Sequence, residues 1–544
     1  MNSGHCDFVK LHSNDIWGSM EYQDCVVEFI GLSQSSSKQL IRDYNDNTPV
    51  INILIQLYQK TSFFGFILRK DDEIFCAVDP TRSYPISFKR DQKNFAVGDF
   101  DLLTDYSAIS SDTNDVEMFL SSGYFLGDRT ISTDVASIPA GNYLIYKDNK
   151  YFLEEYHRYS PQLFNTENRI FHDYELYHQI DRSLNTSIQN TIEKADGRRI
   201  VLSLSAGLDS RLILSKLLET KYDNIECISW GPIGNGDSTG AARIASHANV
   251  PWSHIETDKN FCKSIFWSEI RKEFWRYGFN GVSIPSFQEF FVLCKLRDSA
   301  SYGVDDVLLV NGQSGDYNSG GHLANIDGGL TADQVLNDFI TKHFGLFPKL
   351  AASGAFVKNV ESMLKADFGV HSDTLRELIL ALDVFEFYER QSKWVINGQR
   401  SADFFGYSWD LPLWHSSVVK CFEQMDYSSR LNQACFKSYI KKFDPNCLFQ
   451  KEVDRPKWTG LSSMAIPTAR LIGLLLGSKA KKNVYRYFAY YGINHDQFSA
   501  YDLSHFLGIA PSLRNIISLH VLTFIDEFSK MGIHTLRDKK NELL

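Results

Sequence analysis

Between residues 50 and 155 apolar side chains come in short or alternating runs separated by turn residues: SFFGFILRK, DDEIFCAVD, YPISFKR, KNFAVGDF, GNYLIYKDN and YFLEEYHRY. Period-two alternation with frequent breaks predicts an antiparallel sheet. From residue 199 the pattern changes to strand-length apolar runs, each followed by helical spacing: RRIVLSLS then DSRLILSKLLE, NIECISW then STGAARIASHAN, WSHIETD, and later DDVLLVNG. Ile213, Leu214, Leu217 and Leu218 recur on one helical face, and the runs before them are apolar throughout, as parallel strands covered on both sides should be. Beyond residue 330 the segments lengthen into helical patterns such as SDTLRELILALDVFEFYERQSKWVI and AYDLSHFLGIAPSLRNIISLHVLTFIDEFSKM, with no fixed period. The expected class is α/β: an antiparallel N-terminal domain over 1–170, then a parallel-sheet domain with a helical extension over 171–544. The boundary is placed in the polar stretch 161–173.

A length of 544 residues exceeds what one core usually serves, which agrees with two domains. The 66 acidic and 56 basic side chains give a net charge of −10, so no broad basic face for nucleic acid is expected. LIGLLLG (471–477) and VLLV (307–310) fall far short of the roughly 20 residues that cross a bilayer. MNSGHCDFVKLHSND has no cationic segment followed by an apolar one, so no secretory signal is expected and a cytoplasmic location follows. The nine cysteines lie far apart without CxxC or zinc spacing, and are read as reduced, mostly buried thiols.

The sharpest local feature is SLSAGLDSR (203–211), between an apolar strand and an amphipathic helix. A small-residue turn there lets backbone N–H groups approach a polyphosphate, with Ser205 and Ser210 able to donate hydroxyl hydrogen bonds. Asp209 would repel phosphate unless both anions share a cation such as Mg²⁺. A capped helix would account for the same residues, with Asp209 or Ser205 satisfying first-turn N–H groups. A second element favours the ligand site: DDVLLV runs into NGQSGDYNSGG (311–321), which places another Gly-rich turn and another carboxylate, Asp316, at a strand's carboxyl end.

These parts, in this order, resemble the asparagine synthetase family of ATP pyrophosphatases, amide ligases with a PP-loop. SAGLDS is similar to that family's SGGxDS pyrophosphate loop, which puts Ser205, Gly207, Asp209 and Ser210 on matching positions and Ala206 in place of a glycine. SWG, with Ser229 and Gly231, lies where the family's adenine-contacting turn lies. NGQSGDYNSGG is similar to SGEGADExxGG, with Gly312 in the turn and Asp316 on the second metal-binding carboxylate. RSADFFGYSWDLPLW (400–414) resembles the segment that usually ends in Pro-Phe-Leu-Asp. DRPKWTG (454–460) resembles an Arg-x-Lys-x-Gly-Phe segment, which puts Lys457 on the lysine that contacts phosphates. GFILRKDDEIFCAVDPTRSYPISF and FLGDRTISTDVASIPAGNYLIY resemble parts of the family's glutamine amidotransferase domain. The resemblance implies a degenerate Ntn-type N-terminal domain, an adenine nucleotide α-hydrolase-like C-terminal domain, and ATP with Mg²⁺ as cofactors.

The departures bear on chemistry. Glutaminases of this class use a cysteine at residue 2, where this chain has Asn2; Cys6 would need unusual processing, and no Asn-Gly-Glu stretch occurs in the first 160 residues. Glutamine hydrolysis is expected to be lost, leaving free ammonia, an amine, or ammonia from another protein as nitrogen donor. In the second half Gln313 replaces a glutamate near the incoming nitrogen, Tyr317 replaces the next acidic residue, and Trp409 stands where arginine is usual. A neutral Gln313 cannot act as a base. The expectation is therefore a ligase that adenylates a small-molecule or sugar-linked carboxylate, with Lys457, Asp316 and Gln313 at the reacting centre, Asp209 and Asp316 on the metal, and no nucleic-acid partner. The loop variants look closest to amidotransferase-like proteins of surface polysaccharide pathways that amidate a uronic acid. Asparagine synthesis, a lasso-peptide or β-lactam type of cyclase and a non-catalytic ATP-binding scaffold are the alternatives. A tRNA-modifying relative should show a basic face and paired cysteines, and neither is visible. His254 is read as a structural histidine, His322 has only its location beside the second loop in its favour, Arg390, Lys393 and Arg400 are read as a solvated or salt-bridged face, and FWSEIRKEFWRYGFN (266–280) as a buried packing stripe.

Overall fold

The computed structural model describes residues 8–12, 16–105, 113–165, 173–287, 289–368, 374–449, 467–468, 470–477, 480–481 and 513–529. Its N-terminal part holds a six-stranded antiparallel sheet in the order Lys150–Glu155, Asn142–Lys147, Glu73–Val78, Gly65–Lys70, Cys25–Ile30, Gly18–Tyr22. A smaller sheet pairs Val9–Lys10, Val97–Gly98, Ser87–Lys89 and Val135–Ser137. Ile67, Ile74, Cys76 and Val78 from the first sheet meet Ile86, Phe88, Val97 and Ala136 around the second, so alternate strand residues build one core between stacked sheets. The opposite face of the large sheet is covered by helices Gln34–Asn45 and Val50–Thr61.

Among the described residues, three stretches inside the region expected to be sheet are helical. Val50–Thr61 buries Ile53, Leu54, Leu57 and Tyr58, a helical spacing that its continuous apolar run conceals. Phe100–Leu103 and Thr113–Ser122 are the others. The strands expected from the quoted runs are present.

The C-terminal sheet is parallel, in the order Trp252–Glu256, Ile225–Gly231, Arg199–Ser203, Val307–Val310, Trp409–Asp410. One face packs under helices Asp173–Ala195, Leu208–Glu219 and Gly236–Ala248 through Ile200, Leu202, Leu308 and Val310. The other face, through Val201, Ile228 and Val307, meets Val292, Leu293 and Leu296 of helix Phe290–Arg297 together with Ile30, Phe63 and Tyr84 from the antiparallel part. The α/β class with an antiparallel first half and a parallel second half is as the pattern implied. The boundary stretch 161–173 includes residues outside those described, as do Asn2, Cys6 and Lys457. Of the described cysteines, Cys447 is exposed and the others are buried. Among the described residues no helix is long and apolar enough to cross a membrane.

Helix Leu375–Phe385 continues into Glu386–Val395, which winds as a π-helix. Its charged residues are paired inward: Lys393 bonds Glu389 at 2.6 Å and donates to the Phe125 and Gly127 carbonyls, and Arg400 pairs with Asp403 and donates to Ser83 O. Lys393 and Arg400 are salt-bridged, one of the two readings the sequence offered, and they are buried because carbonyls of the antiparallel half cover them. Tyr159 OH lies 3.2 Å from Arg430, whose guanidinium holds the fully buried Asp383 at 2.8 Å. Burial pushes the Asp383 carboxyl up, but Arg430 and His322 outweigh it and bring it down to about 2. Arg430→Ala strands that carboxylate and is expected to cost about 3–5 kcal/mol in urea unfolding, whereas Lys147→Ala, which breaks an exposed pair with Glu73, should leave the urea midpoint essentially unchanged.

Candidate active site

From Arg199–Ser203 the chain builds the sheet outward to one side, then returns to build the other side with Val307–Val310. The crossovers therefore diverge between these two neighbouring strands and leave a crevice at their carboxyl ends, where open α/β sheets bind ligands. Both Gly-rich turns of the sequence, 205–210 and 311–316, leave from this edge.

The first turn is braced from within. The Ser205 N–H donates to Ser210 Oγ at 3.1 Å, the two hydroxyls lie 3.2 Å apart, and the Gly207 N–H donates to Ser205 Oγ at 3.1 Å. Gly207 caps helix Leu208–Glu219, and no side chain among the described residues caps the N–H groups of its first turn. The capped-helix alternative is thereby met only at Gly207 itself, and the helix's positive end stays open to an anion. Arg211 adds a brace the sequence reading did not assign, donating from Nε to Gly207 O at 2.9 Å and from Nη2 to Ala206 O at 3.0 Å. Its guanidinium also stacks on Phe449 and reaches Leu448 O at 3.4 Å.

The second turn lies directly on the first. A Cβ on Gly312 would stand 2.9 Å from Ser210 N and 3.0 Å from Asp209 Cβ; one on Gly315 would stand 2.5 Å from Leu413 Cδ1 and 2.7 Å from Asp209 Cγ. Only glycine fits either position. Through this contact the Asp316 backbone N–H comes near enough to the Asp209 carboxylate to favour its charged form. Burial, then the nearby Asp316 charge, push the Asp209 carboxyl up to about 7. Asp316 itself is exposed and accepts from the Tyr317 N–H at 2.9 Å.

This donor set fits Mg²⁺ with a nucleotide. Two crowded carboxylates repel, and a divalent cation relieves that repulsion. Among the described residues no group of three or more His, Cys, Asp or Glu is placed to hold a metal.

The other expected residues divide. Gln313 donates from Nε2 to Val395 O at 2.8 Å and accepts from Gln399 at 3.1 Å, so its amide fixes the loop to the segment after the π-helix. Ser314 has φ +64°, a left-handed conformation, and donates to Gln391 Oε1 at 2.8 Å. Ser229 is buried; its hydroxyl donates to Leu204 O at 2.6 Å and accepts from Trp252, so it supports the first turn from behind. Gly231 has φ +117°, and its carbonyl lies 3.1 Å from His254 Nε2. Tyr317 and Trp409 point into the core: Tyr317 stacks on His322 with its hydroxyl on Asp383 O, and Trp409 donates to Asp403 at 2.8 Å. Both rings are buried. Glu289, in FQEFF, was also missed, since an aromatic run gives no signal of a site. It accepts from Asn311 Nδ2 at 3.0 Å, and Asn311 Oδ1 in turn accepts from the Gln313 N–H at 3.0 Å.

No protein-family model matches the chain, and no curated protein matches it. Among solved structures it is similar to an NH3-dependent NAD synthetase from Campylobacter jejuni subsp. jejuni in complex with nitrate, at 16% identity over 41% of this chain and 96% of that one, with a TM-score of 0.23. It is also similar to a glutamine phosphoribosylpyrophosphate amidotransferase from B. subtilis complexed with ADP and GMP, at 11% identity over 54% of this chain and 63% of that one, with a TM-score of 0.12. Overlaps this loose leave the fold to be read from the chain's own sheets.

Two outcomes follow from the loop contact. Gly315→Ala should lower Mg·ATP affinity by about 10-fold or more, roughly 1.4 kcal/mol, and should also lower the melting temperature because the added methyl must displace Leu413 or Asp209, as measured by calorimetry and thermal unfolding. Because the folded Asp209 pKa of about 7 lies above its ordinary 3.8, the metal-free fold loses stability as pH rises between those values. Asp209→Asn should therefore raise the metal-free melting temperature at pH 8 and change it little at pH 4.

Proposed function

We propose that this chain is an ATP- and Mg²⁺-dependent carbon–nitrogen ligase of the asparagine synthetase type, which activates a carboxylate as its adenylate and passes the acyl group to ammonia or an amine. The observation that carries this reading is the glycine-on-carboxylate contact that brings Asp209 and Asp316 together over the open N-terminus of helix Leu208–Glu219. The substrate carboxylate oxygen attacks the α-phosphorus and pyrophosphate departs; nitrogen then attacks the acyl carbon and AMP departs. Ser205, Gly207 and Ser210 would hold the pyrophosphate part, and Asp209 and Asp316 would hold Mg²⁺, which supplies charge neutralisation on the leaving group. Lys457, by its resemblance, would meet the charge that builds on the α-phosphate. Catalysis rests on positioning and electrostatics, with no covalent protein nucleophile.

The antiparallel half is read as an amidotransferase-like domain over 1–170 retained as a structural partner of the synthetase half over 171–544. Its carbonyls at Ser83, Phe125 and Gly127 anchor Arg400 and Lys393, which supports that role. The loop variants SAGLDSR and GQSGDYNSGG make a uronic acid, free or nucleotide-linked, the first carboxylate to test.

ATP–pyrophosphate exchange with Mg²⁺ across aspartate, sugar uronates and nucleotide-linked uronates tests the reading without a nitrogen donor. Exchange should depend on one carboxylate and fall at least about 100-fold in Asp209→Asn and Asp316→Asn. Lys457→Ala should keep ATP binding and lose exchange. Unchanged exchange in both aspartate variants would remove the metal assignment.

A further inference from the structure

The reaction proposed above requires a group to accept the proton that nitrogen sheds when it attacks the adenylate. Gln313, at the position where the resemblance places a carboxylate, has no basic atom, and both ends of its amide are bound to Val395 and Gln399. Another carboxylate is tied to the same loop from the opposite side. Glu289 stands at the N-terminus of helix Phe290–Arg297, on the sheet face away from helix Leu208–Glu219. Its Oε1 accepts from the side chain of Asn311, the residue where Val307–Val310 leaves the sheet at its carboxyl edge, and that same side chain accepts the Gln313 N–H. Ser286, one turn earlier, lies beside Gly398, whose neighbour Gln399 bonds Gln313. Glu289, Asn311, Gln313 and Gln399 are thus joined by hydrogen bonds beside the second turn, at the carboxyl edge of the sheet.

We propose that Glu289 is the general base of acyl transfer, resting on the ligase reading above: its carboxylate takes the proton from the nitrogen as the C–N bond forms and the acyl–O bond to AMP breaks. Asn311 is then a positioning residue that holds Glu289 in register with the loop. Burial raises the Glu289 carboxyl to about 7, opposed by the Asn311 hydrogen bond. No ionisable group of strand Val307–Val310, loop 311–316 or segment 386–399 contributes to that shift. A base of this strength is half-ionised near neutrality, where proton acceptance is most effective.

The test separates the two half-reactions in Glu289→Gln, with ATP–pyrophosphate exchange for activation and single-turnover amide formation from ammonia for transfer, using whichever panel carboxylate supports exchange in the wild type. Exchange should stay within about 2-fold of wild type while transfer falls on the order of 100-fold or more. In the wild type, transfer should rise with pH through about 7, and this limb should vanish in the variant. Hydroxylamine, which attacks without a strong base, should restore transfer in Glu289→Gln, a rescue that a merely structural role would not give. Normal transfer in the variant, or equal loss of exchange and transfer without hydroxylamine rescue, overturns the assignment. A wild type that exchanges with no carboxylate of the panel counts against the ligase reading itself, and this inference falls with it.

Discussion

The site depends on a contact with no room for a side chain. Where two parallel strands leave the sheet side by side in diverging directions, the backbone at Gly312 and Gly315 lies against Asp209 and Ser210. That closeness brings the Asp316 N–H near the Asp209 carboxylate and sets two acidic residues over one helix N-terminus. The repulsion this creates in the metal-free protein is what the proposed cation-bridged polyphosphate would relieve. Strand order, glycine placement and the raised Asp209 pKa are consequences of one geometry.

Around that contact the chain spends its polar side chains on rigidity. Arg211 bonds the first turn's carbonyls, Ser229 supports it from the neighbouring strand, and the π-helix Glu386–Val395 with the residues after it offers Gln391, Val395 O and Gln399 to the second turn. A π-helix sits where the backbone must serve a neighbouring site. The same segment carries Glu389 and Lys393, whose buried pair is completed by carbonyls of the antiparallel half. The two halves are therefore joined next to the crevice, so strain in either can reach the loops.

Much of this was legible in the sequence because the local signals and the tertiary result agree. Apolar strand runs followed by helical spacing gave the parallel sheet, and two Ser/Gly/Asp turns at strand ends gave the crevice. What was not legible depended on contacts distant in sequence. Helix Val50–Thr61 was hidden in a continuous apolar run whose facing became visible only against the large sheet. Lys393 and Arg400 look like solvated helix charges until their partners, hundreds of residues away, are placed. Glu289 lies among phenylalanines, and its role emerges only through Asn311. Tyr317 and Trp409 stand at positions that would suggest a remodelled pocket, yet their rings are core.

The central claim is that Asp209 and Asp316 share one cation with a nucleotide's phosphates. A crystal structure of the protein with Mn²⁺ and a non-hydrolysable ATP analogue, using the anomalous signal to locate the metal, tests it most directly. The account predicts a manganese peak within coordinating distance of both carboxylates and of phosphate oxygens, above the Ser205–Ser210 turn. A metal bound elsewhere, or a nucleotide seated away from that turn, would contradict it.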